Sequence, residues 1–246
     1  MLIAFALALS RVSGMFLTAP FFSRGSVPRR ARVLLALGIT ATLLPTLQLS
    51  SVPRDAVNLV GCMIGEIAVG MAIGLLARLL ITSFQLAGEI IAFQMGFSLA
   101  ISFDPDSESS EPVIASIHLS LVTLLFLLLD GHHLLVRSLA ASFEPFPLGG
   151  ALELESLARG LLAAAGDMFE VGMRAAAPVA GLLLLLNAMI GFVNRITPQL
   201  SIFNVGFPLT VMGGLLGILL SLPRLASFFA DLCVQLESRS AALLGG

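Results

Sequence analysis

Glu66, Arg78, Glu89 and Arg195 stand inside or beside long apolar runs. A charge at membrane depth is costly, so it pairs with another charge or faces a wet path. The pairing partners are not readable from sequence, and a structural ion pair between helices is the simpler expectation. Asp130, His132 and His133, with His118, are residue types that bind metals or relay protons. If His118 and His132 share one helix, they stand about 21 Å apart along its axis. Adjacent His132 and His133 should point in different directions on a helix. Zinc needs three or four converging ligands, so the expectation is an ordinary helix end satisfied by Asp, Gly and His, with no metal and no cofactor. Ser109 and Ser110 have no nearby base, and an unassisted hydroxyl is a weak nucleophile. Nucleophile elbows, phosphate loops and zinc-protease signatures are missing. No catalytic residue is expected, and the chain does not read as an enzyme. Glu170 and Arg174 are spaced to pair locally along a helix.

The stretch from Ala87 to Pro112, AGEIIAFQMGFSLAISFDPDSESSEP, changes character midway. Its first part is apolar and helix-like, carrying Glu89 and Gln94. It breaks at Asp104-Pro105 into a polar segment: Phe103, Asp104, Pro105, Asp106, Ser107, Glu108, Ser109, Ser110, Glu111 and Pro112. Backbone that is neither helical nor in a closed sheet cannot face lipid. This loop therefore needs a watery or protein-lined place, such as a conduit held open by the surrounding segments.

Those segments are apolar. Of 246 residues, 57% are hydrophobic and 11% charged, with mean hydropathy +1.02. A soluble domain carries charge on about a quarter of its residues, so the membrane is the expected solvent. The net charge of -2 and the lack of a basic tract give nucleic-acid binding no footing. Trp and Tyr are absent, so the usual aromatic belt is missing; genome composition is one cause, and a surface that largely meets other protein is the other. Cys62 and Cys233 lie far apart in apolar contexts and read as small core residues. Met1 to Ala19 lacks a basic n-region and is interrupted by Arg11, so it reads as a first membrane helix rather than a signal peptide.

The expected fold is all-α and polytopic, with about six hydrophobic helices plus one buried or re-entrant segment. The candidate spans are Leu2–Ala19, Val33–Leu49, Val57–Ile81, Val113–Leu129, Ala175–Val193 and Val205–Leu222, with Phe84–Phe103 as the extra segment. A further helix is expected over Leu152–Gly172. Prolines 20, 28, 45 and 53 bracket the second span, and prolines 105 and 112 bracket the polar loop. Pro208 falls near the start of the last span, where proline is tolerated. Gly61/Gly65, Gly70/Gly74 and Gly213/Gly217 recur at the spacing that lets helix backbones approach closely. Arg24, Arg29, Arg30 and Arg32 put the first loop in the cytoplasm. Counting spans from there leaves the polar loop and the Asn194–Asn204 turn inside and both termini outside.

Four stretches carry a resemblance, in order. The first is Arg11-Val12-Ser13-Gly14, then Ala19-Pro20-Phe21-Phe22-Ser23 and Pro28-Arg29-Arg30-Ala31-Arg32. The second is Ala87-Gly88-Glu89 through Gln94-Met95-Gly96-Phe97-Ser98 to Asp104-Pro105. The third is FLLLDGH, Phe126 to His132, leading to Ser142-Phe143 and Pro147-Leu148-Gly149. The fourth runs from Leu186-Asn187 through Gly191, Asn194-Arg195 and Pro198-Gln199-Leu200-Ser201-Ile202-Phe203 to Gly206-Phe207-Pro208-Leu209-Thr210. Together they cover nearly the whole chain and resemble the FliR family of type III secretion export-gate proteins. His133 and the acid-rich loop look like local variants of that pattern.

The resemblance implies a structural subunit of the flagellar export gate in the bacterial inner membrane, at the basal body. Such a subunit helps form and close the conduit for unfolded export substrates. It implies FliP-type and FliQ-type subunits and an FlhB-type switch protein as partners, besides membrane lipid. It implies a FliP-like part over residues 1–165 joined near Gly166 to a FliQ-like helical hairpin over 166–246. Asp104–Ser116 would then plug the closed conduit, and Glu89, Gln94, Met95, Gly96 and Phe97 would line or gate it. Asn194, Arg195, Thr197, Pro198 and Gln199 would form the turn that meets the switch protein. The alternative is a small-solute secondary transporter using intramembrane carboxylates at Glu66, Glu89 or Asp130, although inverted repeats are not evident.

Overall fold

The computed structural model describes residues 1–20, 28–47, 55–97, 113–150, 154–197 and 205–245. These residues are helical or connect helices, and no strand occurs among them. Helix α1 covers Leu2–Thr18 and stops at Ala19, which is extended (φ -58°, ψ 132°). The cause is Pro20, whose ring drives the preceding residue out of the helical region. Helix α2, Arg29–Leu43, follows Pro28 and tightens into a 3₁₀ turn, Leu44–Thr46, at Pro45.

Helix α3 is continuous over Ala56–Gln94. The sequence suggested a break after Ile81, with a separate segment from Phe84. No proline lies between Thr82 and Gln94, so nothing interrupts the hydrogen-bond ladder. The helix ends only at Gly96, which takes φ +90°, a conformation costly to a residue with a Cβ. At 1.5 Å per residue α3 is about 58 Å long, well beyond a hydrocarbon core of about 30 Å.

Helices α4, Val113–Leu128, and α5, Gly131–Ala141, are bent by 61° at Leu129-Asp130. Helix α6 runs from Leu154 to Ile196 and merges the two helices expected there; Pro178 lies inside it. Helix α7, Phe207–Gly245, starts with Pro208 in its first turn and continues through Pro223 instead of stopping at Leu222. An interior proline removes one helix hydrogen bond, and apolar helices tolerate this where neighbours and local adjustment satisfy the freed carbonyl. Three helical stretches are long and apolar enough to cross a membrane: Val57–Gln94, Leu154–Ile196 and Phe207–Leu236. The bent α4–α5 pair makes a fourth if it counts as one span, and α1 is a shorter apolar helix.

The chain forms two compact units. The first comprises Met1–Leu80, Phe126–Gly166 and Asp231–Gly246. Its core holds Ala4, Leu7, Ala8, Phe143 and Leu148, flanked by Leu43, Leu44, Leu59, Cys62 and Met63. Within it α1 and α3 touch backbone to backbone. A Cβ at Gly70 would strike the Arg11 carbonyl, and one at Gly74 would stand 2.6 Å from the Met15 oxygen. Thr18 Oγ1 also donates to the Met71 carbonyl (2.9 Å). Gly61, by contrast, meets nothing within 4 Å.

The second unit comprises Ile81–Leu125 and Asp167–Ala230. Phe84 is fully buried and meets Phe229 edge-on, with centroids 4.9 Å apart. Gly88 lets α3 approach α4, where a Cβ would stand 2.9 Å from the His118 Cβ. Gly213 and Gly217 pack on Leu186, Val179 and Leu182 of α6.

Candidate functional site

The last turn of a helix leaves four carbonyls without a helical partner. At the end of α3, two of them are taken by side chains from α6 and α7. Asn187 Nδ2 donates to the Gln94 carbonyl (3.2 Å), and Thr210 Oγ1 donates to the Met95 carbonyl (3.2 Å). Met95 is fully buried against Gly214, where a Cβ would stand 2.6 Å from the Met95 sulfur. Phe97 meets the Phe207 ring edge-on at 5.8 Å. Gln94 Oε1 is enclosed, with no hydrogen-bond partner among the described residues. Glu89, further back on α3, accepts a hydrogen bond from Gln85 Nε2 (3.2 Å). The Gln94–Phe97 segment is thus fastened at two carbonyls, one side chain and one ring. Sequence reasoning singled out Gln94, Met95, Gly96 and Phe97 but gave no anchoring role to Asn187, Phe207, Thr210 or Gly214. The available signal was Asn187, a polar residue in a leucine-rich run.

Phe103 through Pro112 of the polar loop lie outside the described residues, as do Pro198 and Gln199. Val113–Ser116 form the first turn of α4, where Ser116 Oγ donates to the Val113 carbonyl (2.8 Å). Asn194 and Arg195 end α6, and Thr197 Oγ1 donates back to the Val193 carbonyl (3.0 Å). Arg195 is exposed in the last turn, where a cation suits the helix dipole.

Of the four charges singled out in apolar context, Glu66 is buried and paired, while Arg78 and Arg195 are exposed. The partner is Arg11, whose Nε donates to Glu66 Oε2 at 2.6 Å. Arg11 Nη1 donates to the Ser142 carbonyl (3.1 Å) and hydroxyl (3.0 Å), and Nη2 to the Phe146 carbonyl (2.8 Å). The guanidinium lies 4.0 Å from the Phe143 ring centroid. The other Glu66 oxygen accepts the Gly149 amide (3.0 Å). One charge pair therefore ties α1, α3 and the Ser142–Gly149 segment together. Arg11 read in the sequence as an interruption of an apolar helix, and its pairing with Glu66 was missed.

His132 and His133 follow each other at the start of α5. Their rings stand 4.2 Å apart, and Asp130 joins them in a group whose ligand atoms all lie within 4.8 Å of one another. His118 takes no part and is buried against Gly88. The divergence of neighbouring Cβ directions is closed by the reach of the imidazoles around a helix start. That start is set by Asp130 in the left-handed region (φ 54°, ψ 33°).

Long apolar helices joined by a few buried polar ties define a helical membrane protein whose candidate site is a fastened helix terminus. Residues 2–236 match the family described as bacterial export proteins, family 1, and the chain belongs to that family. It is similar to the flagellar biosynthetic protein FliR of Escherichia coli (strain K12), 39% identical over 237 residues, covering 96% of this chain and 90% of the relative. FliR of Pectobacterium carotovorum subsp. carotovorum is 34% identical over 239 residues, covering 93% and 92% respectively. FliR of Bacillus subtilis (strain 168) is 31% identical over 211 residues, covering 85% and 82%.

Proposed function

We propose that this chain is a structural, non-catalytic subunit of the flagellar type III protein export gate in the bacterial inner membrane, at the basal body. The observation that carries the reading is the family match along residues 2–236, with FliR relatives aligned over nearly their whole length. In this reading the chain helps form and close a conduit for unfolded export substrates. It has about six hydrophobic helices, counting α1 and α2, and works with FliP-type and FliQ-type subunits and an FlhB-type switch protein. Residues 1–165 are the FliP-like part and 166–246 the FliQ-like hairpin. Residues 104–116 are the plug, the Glu89–Phe97 segment lines the conduit, and the turn from Asn194 to Gln199 meets the switch protein.

Two features support the reading. The segment leading into the proposed plug is fastened by Asn187 and Thr210, so a movable loop would start from a fixed point. Leu184, Leu185, Met189 and Phe192 on α6 and Leu219 and Leu220 on α7 are largely exposed, as suits helices surrounded by lipid or by other subunits. The transporter alternative is not supported. Both oxygens of its deepest carboxylate, Glu66, are taken by Arg11 and the Gly149 amide.

The test is co-expression with FliP-type and FliQ-type subunits. One large particle is expected with them, and aggregation without them. A long-lived monomer in detergent, indifferent to those subunits, would count against the proposal.

A further inference from the structure

We propose that Asp130, His132 and His133 form a binding site for one first-row divalent ion, zinc in the first instance. The function proposed above does not use this group.

The chemistry begins with the carboxylate. Asp130 is the residue before the first turn of α5, a position where an aspartate normally accepts a hydrogen bond from a first-turn amide. Here its side chain makes no capping hydrogen bond. Its Oδ1 instead faces the two imidazoles, 3.3 Å from His133 Nδ1 and 4.0 Å from His132 Nε2. Zinc bound to nitrogen and oxygen at about 2.0–2.2 Å in tetrahedral order holds its ligand atoms roughly 3.3–3.6 Å apart. The Asp130–His133 separation is already at that spacing, and His132 Nε2 has to close from 4.0 Å to reach it. Among the described residues, this is the group of three whose ligand atoms converge.

The surroundings select which atoms bind. His132 Nδ1 is enclosed, so the nitrogen turned toward the carboxylate, Nε2, is the one free to coordinate. His133 and Asp130 are exposed, with 68% and 71% of their side-chain surface accessible. Among the described residues nothing covers these two side chains, so an open position is left for a water ligand. The backbone beside the group is closely packed, because a Cβ at Gly131 would run into the buried Phe126 ring. Two imidazoles and one carboxylate suit zinc, and the order of affinities adds nickel and copper as competitors. Three ligands on an open surface make an exchangeable site, unlike the closed four-ligand sites that hold folds together.

The experiment uses the full-length chain without a histidine tag, together with the subunits that co-purify with it. After equilibrium dialysis against buffered zinc, one ion per chain is expected by elemental analysis. Cobalt loading should give the visible absorption of a four-coordinate ion. His133→Ala and Asp130→Asn alter exposed side chains and should leave the protein folded. Each should weaken zinc binding roughly tenfold or more. His118→Gln, a histidine outside the group, serves as control and should leave zinc binding unchanged. Zinc bound equally by wild type, His133→Ala and Asp130→Asn would mean adventitious sites only and overturn the proposal. So would the lack of stoichiometric binding by a well-assembled wild-type sample.

Discussion

Arg11 Nε lies 2.6 Å from Glu66 Oε2, with 0% and 1% of the two side chains exposed. The pair joins α1 to α3, and the remaining guanidinium donors hold Ser142 and Phe146. Removing one partner leaves the other charge buried and unpaired, which typically costs about 3–5 kcal/mol. Glu66→Ala and Arg11→Ala should each lower the yield of assembled protein and its unfolding temperature. Replacing both by apolar residues of similar size, Arg11→Met with Glu66→Leu, should recover part of the loss. Thermal unfolding in detergent measures this. Single variants as stable as wild type would show that the pair holds nothing together.

Glycine positions that look alike in sequence should separate in experiment. Gly70→Leu forces a side chain into the α1 backbone and should disrupt folding. Gly61→Ala meets open space and should fall within about 0.5 kcal/mol of wild type or be stabilising, since alanine favours a helix interior. Comparing folded yield and unfolding midpoints of the two variants decides the matter. Equal effects would contradict the close approach at Gly70.

Gly214 and Met95 should behave as a coupled pair. Gly214→Ala places a methyl group against the Met95 thioether and should destabilise the protein. Met95→Ala opens that space, so the double variant should lose less than the sum of the singles. Residues in contact typically show coupling of about 0.5–3 kcal/mol. A coupling of zero would mean the two do not touch.

Thr210→Val should loosen the end of α3. It frees the Met95 carbonyl, and a buried acceptor left unmade costs about 1–3 kcal/mol. Faster amide exchange over residues 94–97, with unchanged exchange in α1, is the expected result. A uniform rise across the chain would point instead to global destabilisation.

Deleting Asp106–Glu111 tests the proposed plug. The complex should still assemble, while the membrane containing it leaks small ions. Conductance is compared between intact and deleted complexes at matched assembly. An assembled deletion variant that stays tight would reduce the loop to a connector.

Apolar length and hydrophobicity were legible in the sequence, and so was the all-helical outcome. Boundaries were legible where a backbone rule acts alone: Ala19 before Pro20, and Pro208 in a first turn. They failed between Gly172 and Ala175, where one helix runs on, and at Leu222, where the last helix continues through Pro223. Glu66 could be singled out by its surroundings, but its partner lies 55 residues away, and periodicity says nothing about which helices meet. The closeness of the Asp130, His132 and His133 side chains depends on one left-handed residue, which helical spacing does not foresee. Asn187 and Thr210 matter through the carbonyls they serve, and a carbonyl has no letter in the sequence.

The Arg11 contacts also impose an order on synthesis. Its partners lie 55, 131 and 135 residues downstream. At about 5–20 residues per second, α1 leaves the ribosome several seconds or more before Ser142 and Phe146 exist. For that interval Glu66 is the one native partner already made, and the Nη donors lack the acceptors of residues 142 and 146. α1 is therefore a provisional guest of the membrane or of the insertion machinery until residue 146 has been made. A chain halted before that point should be recognised as unfinished and degraded.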